Sequence, residues 1–174
     1  MKDTLRILPF TLILAGAAAL SGCGDKPQTS DSAAETPVLH LAQIDKAPEA
    51  SFTITANDQM KFNLTRIEAK PGQVLSITLD NIGKMPKASM GHNLVVLHDG
   101  VDPKAFASAA ARASQHEYLP PSEAASILTA TRMLGGGESD TIVFQLPDKP
   151  GLYPFVCSFP GHFSAGMKGV IVVQ

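Results

Sequence analysis

The chain has 174 residues, 44% of them hydrophobic and 17% charged, and a formal net charge of −2. That balance carries no basic footprint for nucleic acid. Beyond an N-terminal leader and tether, the remainder is the size of one domain, and no internal repeat divides it.

Residues 1–22 open with Lys2 and Arg6 and continue as an apolar run from Ile7 to Leu20. This is the pattern of a secretory signal, too short for a membrane span. It ends in Leu20-Ser21-Gly22-Cys23, which resembles the bacterial lipobox. The resemblance implies cleavage before Cys23 and a diacylglycerol on its sulfur, so the exported protein would be anchored to a bacterial membrane. An ordinary signal peptide with an accidental Cys is the plainer alternative. Residues 23–50 are rich in Ser, Thr, Ala, Pro, Asp and Glu and read as a flexible tether reaching roughly 25 to 30 Å. With Cys23 lipidated, Cys157 is the only thiol left. An odd Cys in an oxidising compartment is a liability unless buried or ligated.

Residues 51–174 show strand signals at Ser51–Ala56, Met60–Ile67, Val74–Leu79, Asn93–His98, Thr141–Leu146, Leu152–Cys157 and Lys168–Val173. Seven or so short strands separated by turns predict an all-β sandwich. One helix interrupts them: Asp102 is its cap, Pro103 its first turn, and Ala105 to Ala113 an Ala-rich body. A helical turn is expected at Ser122 to Leu128, after Pro120-Pro121. Gly135-Gly136-Gly137 lacks a following Lys-Ser/Thr, so it is no phosphate loop and reads as a flexible turn.

The chemistry concentrates in the loop between the last two strands, Cys157-Ser158-Phe159-Pro160-Gly161-His162-Phe163-Ser164-Ala165-Gly166-Met167. A thiol, an imidazole and a thioether there are soft donors suited to copper, and the oxygen ligands that calcium or magnesium would want are missing. Two His and one Cys with a weak axial Met make a blue-copper electron-transfer site, so a second His is needed. His92 stands out, because it follows Gly91 at the start of a strand and Gly91 lets the backbone approach an ion closely. His98 reads as a turn residue, His116 as a helix-end or solvent residue, and His40 lies in the tether.

Three separated segments carry a resemblance to the cupredoxins, and to the azurins above all. They are Asn57-Asp58-Gln59-Met60-Lys61-Phe62-Asn63, then Lys84-Met85-Pro86-Lys87 with Met90-Gly91-His92-Asn93, and Cys157-Ser158-Phe159-Pro160-Gly161-His162. The resemblance covers nearly all of the globular domain. It implies an eight-stranded Greek-key sandwich with a helical flap and one type 1 copper held by His92, Cys157 and His162. Met167 would be axial, and the Gly91 carbonyl a second weak axial donor. It further implies that the Asn93 side chain ties the two ligand loops and that the N–H groups of Asn93 and Phe159 donate to the Cys157 sulfur. Four residues separate His162 from Met167 where azurins have three, a spacing similar to plastocyanins and auracyanins. Leu94 stands where azurins have a core Trp, and Asn81 where they have a non-ligand His.

The same resemblance places the edge of His162 at the surface, ringed by Met60, Met85, Met90, Phe159, Pro160 and Ala165. The ordinary alternative makes each of these a core residue. Charges near the ring look sparse in sequence, so docking should depend weakly on salt. The reading is a membrane-tethered carrier cycling Cu(I) and Cu(II) between redox proteins such as cytochromes or a terminal reductase, not an enzyme. A copper chaperone or storage protein is the alternative; it would favour exposed, exchangeable ligands.

Overall fold

The computed structural model describes residues 46–174. The signal, Cys23, most of the tether and His40 lie outside the described residues. Two sheets face each other. The first has the order β2-β1-β4-β7 and the second β3-β9-β8-β5-β6. The strands are β1 (Ala50–Asn57), β2 (Lys61–Phe62), β3 (Arg66–Ala69), β4 (Val74–Asn81), β5 (Val95–Leu97), β6 (Ile127–Ala130), β7 (Ser139–Gln145), β8 (Gly151–Val156) and β9 (Lys168–Val173). Pairing is parallel for β1 with β4 and for β3 with β9, and antiparallel elsewhere. The chain passes repeatedly from one sheet to the other, as a Greek-key sandwich requires.

Period-two alternation explains which sides face inward. Along β4, Leu75, Ile77, Leu79 and Asn81 are buried while Ser76, Thr78 and Asp80 are half-buried on the outer face. Thr78 sits opposite Thr141 in register, and their hydroxyls meet at 2.8 Å on that outer face. Ile142 and Phe144 of β7 turn inward beside them and join Ile54, Leu94, Phe155 and Ile171 in the core between the sheets. Val95, Leu97 and Val156 point out of the second sheet, where a smaller cluster forms with Phe106 and Ala110 of a helix. That helix, α2, follows a single turn, α1 (Lys87–Met90), and spans Pro103–Ala110. Asp102 caps it by accepting from Lys104 N at 2.9 Å. α2 therefore covers the outer face of one sheet. Among the described residues no helix is long and apolar enough to cross a membrane.

Three expectations are corrected. The run Met60–Ile67 is not one strand. Phe62 ends a two-residue edge strand in the first sheet, Asn63 Oδ1 accepts from Thr55 N at 2.7 Å, and Arg66 begins pairing with Val170 in the second sheet. Apolar alternation runs through Met60, Phe62 and Leu64 and then slips by one residue to Ile67, and that change of phase coincides with the change of sheet. The break gives part of the count of nine strands where eight were implied. Ser122–Leu128 does not form one helical turn. A 3-10 turn covers Pro121–Ser126, and Leu128 belongs to β6, which takes the edge of the second sheet. Gly135-Gly136-Gly137 is a docked segment: Gly136 N donates to Met85 O at 2.9 Å and Gly137 N to Asn81 O at 2.7 Å. A Cβ on Gly136 would lie 2.7 Å from Gly83 O, so the glycines allow two backbones to touch.

Candidate metal centre

The ligand-bearing segments converge at one end of the sandwich. His92 and Asn93 lead into β5, and β8 ends just before Cys157. The loop from Cys157 returns to β9 and is closed by its own backbone: Cys157 N donates to Met167 O at 3.1 Å and Met167 N to His162 O at 3.0 Å. Inside it, His162 N donates to Phe159 O at 3.1 Å, and Gly161 turns with φ of +85°. His92 is fixed across from the third segment, exchanging backbone hydrogen bonds with Leu134 at 2.9 and 2.8 Å.

His92, Cys157 and His162 present donor atoms that all lie within 4.8 Å of one another. Cys157 Sγ is 3.9 Å from His92 Nδ1 and 3.4 Å from His162 Nδ1. For a metal bonded to sulfur at about 2.3 Å and to nitrogen at about 2.0 Å, a trigonal set spaces the two atoms by about 3.7 Å. The observed separations bracket that value, so the three donors fit one small ion. His92 and Cys157 are fully buried and His162 is 2% exposed. Gly91 O lies 3.9 Å from Cys157 Sγ. A Cβ on Gly91 would lie 2.7 Å from Lys87 O and 2.9 Å from Met133 Sδ, so packing demands glycine there. Met167 is buried against the same cluster as Cys157.

Burial sets the electrostatics. It pushes the Cys157 thiol up to about 11, with the backbone N–H groups of Asn93 and Phe159 acting in the opposite sense. Burial, then the neighbouring His92, lower His162 to about 4. Burial also lowers His92, opposed by the Asn57 carbonyl and by Asp58. That carbonyl does not complete a hydrogen bond, and His92 Nε2 is buried without a partner. Both imidazoles are therefore neutral at pH 7 and ready to ligate, whereas the thiol must release its proton to a metal.

Asn93 links the two loops. Its Nδ2 donates to Ser158 Oγ at 2.8 Å, and its Oδ1 accepts from Ser158 N at 2.8 Å and from the Ser158 hydroxyl at 3.1 Å. Ser158, 1% exposed, was not singled out in the sequence; its place beside Cys157 was the only available signal. Tyr118 was also missed. Its ring meets Phe159 edge-on at 5.1 Å, and Phe159 lies 4.7 Å from the His162 ring. Glu117 and Tyr118 both have positive φ, 50° and 61°, a backbone state that no sequence pattern here announces.

His162 is 2% exposed, so at most a small edge of its ring reaches the surface. Of the surrounding residues, Met85 and Pro160 are exposed, while Met60, Met90, Phe159 and Ala165 are half-buried. Ile82, 57% exposed, adds to the apolar surface beside Met85. His98 and His116 do not join the cluster.

A sequence profile of copper-binding proteins of the plastocyanin/azurin family matches residues 48–174. The chain belongs to that family. It is similar to the azurin of Achromobacter denitrificans, 34% identical over 143 residues that cover 80% of this chain and 90% of the relative. It is also similar to the outer membrane protein H.8 of Neisseria gonorrhoeae, 36% identical over 134 residues covering 73% of this chain and 69% of the relative. Among solved structures, the dithionite-reduced auracyanin of Roseiflexus castenholzii aligns with a TM-score of 0.64 at 31% identity, covering 74% of this chain and 99% of that one. The fold is thus a cupredoxin sandwich, and the His92, Cys157 and His162 cluster is its copper site.

The lowered histidines make the metal-free protein pH-sensitive. Unfolded His162 takes up a proton near 6.5 but the folded residue only near 4, so the unfolded state binds more protons between those values. Stability contributed by His162 is complete above about pH 6.5. It should fall as pH drops toward 4, with His92 adding in the same direction. Melting temperatures of metal-free wild type and His162→Gln from pH 7 to 4.5 read this directly, and the variant should show the shallower slope.

Proposed function

We propose that the protein is an exported, membrane-tethered electron carrier that exchanges single electrons with other redox proteins. The observation that carries this reading is the sealed donor set: two imidazoles and a thiol, at most 2% exposed and spaced for one ion. Burial leaves no open position on which a substrate could bind, and it disfavours the rapid ligand exchange that a chaperone or storage protein needs. Copper, when bound, supplies one-electron chemistry between Cu(I) and Cu(II).

The residues of the chain do the rest. Cys157 gives a thiolate, whose charge favours Cu(II), while the neutral imidazoles and the Met167 thioether suit Cu(I) as well. Met167 would supply a further, softer sulfur ligand and the Gly91 carbonyl a weaker oxygen donor. The Asn93 tie to Ser158 holds both loops in one geometry for both oxidation states, which keeps rearrangement small, and the N–H groups of Asn93 and Phe159 tune the sulfur. Met60, Met85, Met90, Phe159, Pro160 and Ala165 form the surface on which a partner such as a cytochrome or terminal reductase docks. Redox encounters need less than about 1,200 Å². Cys23 carries the lipid, a reading in keeping with a relative named as an outer membrane protein.

Three variants test these assignments. Cys157→Ser should abolish the intense visible band of the copper-loaded protein, since the sulfur-to-copper transition disappears with the sulfur; a retained band would exclude Cys157 as ligand. Met167→Leu should keep copper bound but raise the reduction potential, because a donor favouring Cu(II) is replaced by an apolar group. An unchanged potential in a redox titration means that Met167 does not coordinate. Cys23→Ser should release a soluble exported protein with its colour intact, and persistent recovery in the membrane fraction would refute lipidation.

A further inference from the structure

Between α2 and the ligand loop lies an open groove of about 190 Å³, lined among others by Lys104, Ala107, Phe159, Gly161 and Phe163. It is connected to the metal centre, because Phe159 in its wall packs 4.7 Å from the His162 ring. Two cations flank it. Lys104 lines it directly, and Lys168 Nζ is held 4.4 Å above the Phe163 ring. A third, Lys61, donates to the carbonyl of Ala165 at 2.8 Å on the same loop. Among the described residues none of these three pairs with a carboxylate, although Lys46, Arg66, Lys87, Arg132 and Lys149 all do. The nearby acids are engaged elsewhere: Asp102 caps α2, and Glu117 pairs with Lys87 at 2.9 Å. The loop thus carries a local positive excess that its scattered lysines did not announce in sequence.

We infer that this groove is a docking site for an acidic segment of a redox protein, adjoining the methionine surface on the Met85 side and sharing Phe159 with it. Its apolar wall, with Lys104 in the lining and Lys168 over the Phe163 ring, complements an apolar side chain accompanied by carboxylates. Unpaired lysines at the rim attract such a segment over a distance and orient it before contact. Phe159 then places the bound segment one ring away from His162. The inference rests on the carrier reading, and it replaces the expected weak salt dependence with a marked one.

The test uses the copper-loaded protein and two probes. In NMR titrations of the diamagnetic Cu(I) form, a short polyglutamate peptide should shift amides of Lys104, Gly161 and Phe163. Lys104→Glu combined with Lys168→Glu should raise its dissociation constant about tenfold or more, the cost of reversing two close charges. Oxidation of the Cu(I) form by ferricyanide should slow about fivefold or more in the same variant at low ionic strength, and the difference should close in high salt. Lys70→Glu changes net charge at the far end of β3 and should leave both readouts near wild type. Equal effects of the Lys70 variant and the groove variant, or peptide shifts confined to Ile82 and Met85, would overturn the inference. Wild type that binds peptide in the groove yet is not oxidised by ferricyanide would instead sink the carrier reading and leave the groove standing.

Discussion

Water exclusion from three polar donors is the constraint on which the rest of this molecule turns. A thiol and two imidazoles sit at the end of an apolar core with almost no exposure, where each charged form is penalised. Ordinary cores avoid such groups. Here the scaffold keeps them, and the three segments that bear them are cross-braced so that none can swing out to find water. The His92 pairing with Leu134 and the Asn93 bonds with Ser158 are those braces. Coordination converts the penalty into binding, since a metal satisfies all three donors at once and displaces the thiol proton.

Much of this was legible in the chain. Donor identity and the compressed spacing of Cys157, His162 and Met167 announced a soft-metal loop, and strand alternation around it announced the hairpin that holds it. His92 could be chosen over His98 and His116 because Gly91 precedes it and a strand follows. What sequence could not give was anything decided by a distant partner. The one-residue slip in alternation between Leu64 and Ile67 shows that the strand is interrupted, but not that the chain then pairs with β9 in the other sheet. Three glycines in a row looked mobile, yet they are pressed against residues 81–85 by contacts more than fifty positions apart. Ser158 and Tyr118 are similarly invisible, because their importance comes from Asn93 and Phe159 and not from their own chemistry.

The charges follow the same rule. Over residues 46–174 acids and bases are balanced, so composition says nothing of direction. Pairing makes the surface uneven: among the described residues ion pairs engage Lys46, Arg66, Lys87, Arg132 and Lys149 and leave Lys61, Lys104 and Lys168 around the ligand loop without carboxylates, as they also leave Lys70, Lys84 and Arg112. A neutral domain can therefore present a polarised end.

The parallel pairing of β1 with β4 has a mechanical consequence. β1 is the first strand of the sandwich, and it lies beside β4 in register from Ala50 opposite Leu75 to Ala56 opposite Asn81. Tension along the chain preceding Ala50 would pull along that ladder, loading its hydrogen bonds together in shear instead of peeling them one at a time. Force entering from that side would meet its first resistance at this strand, in the sheet that does not carry β5, β8 and β9.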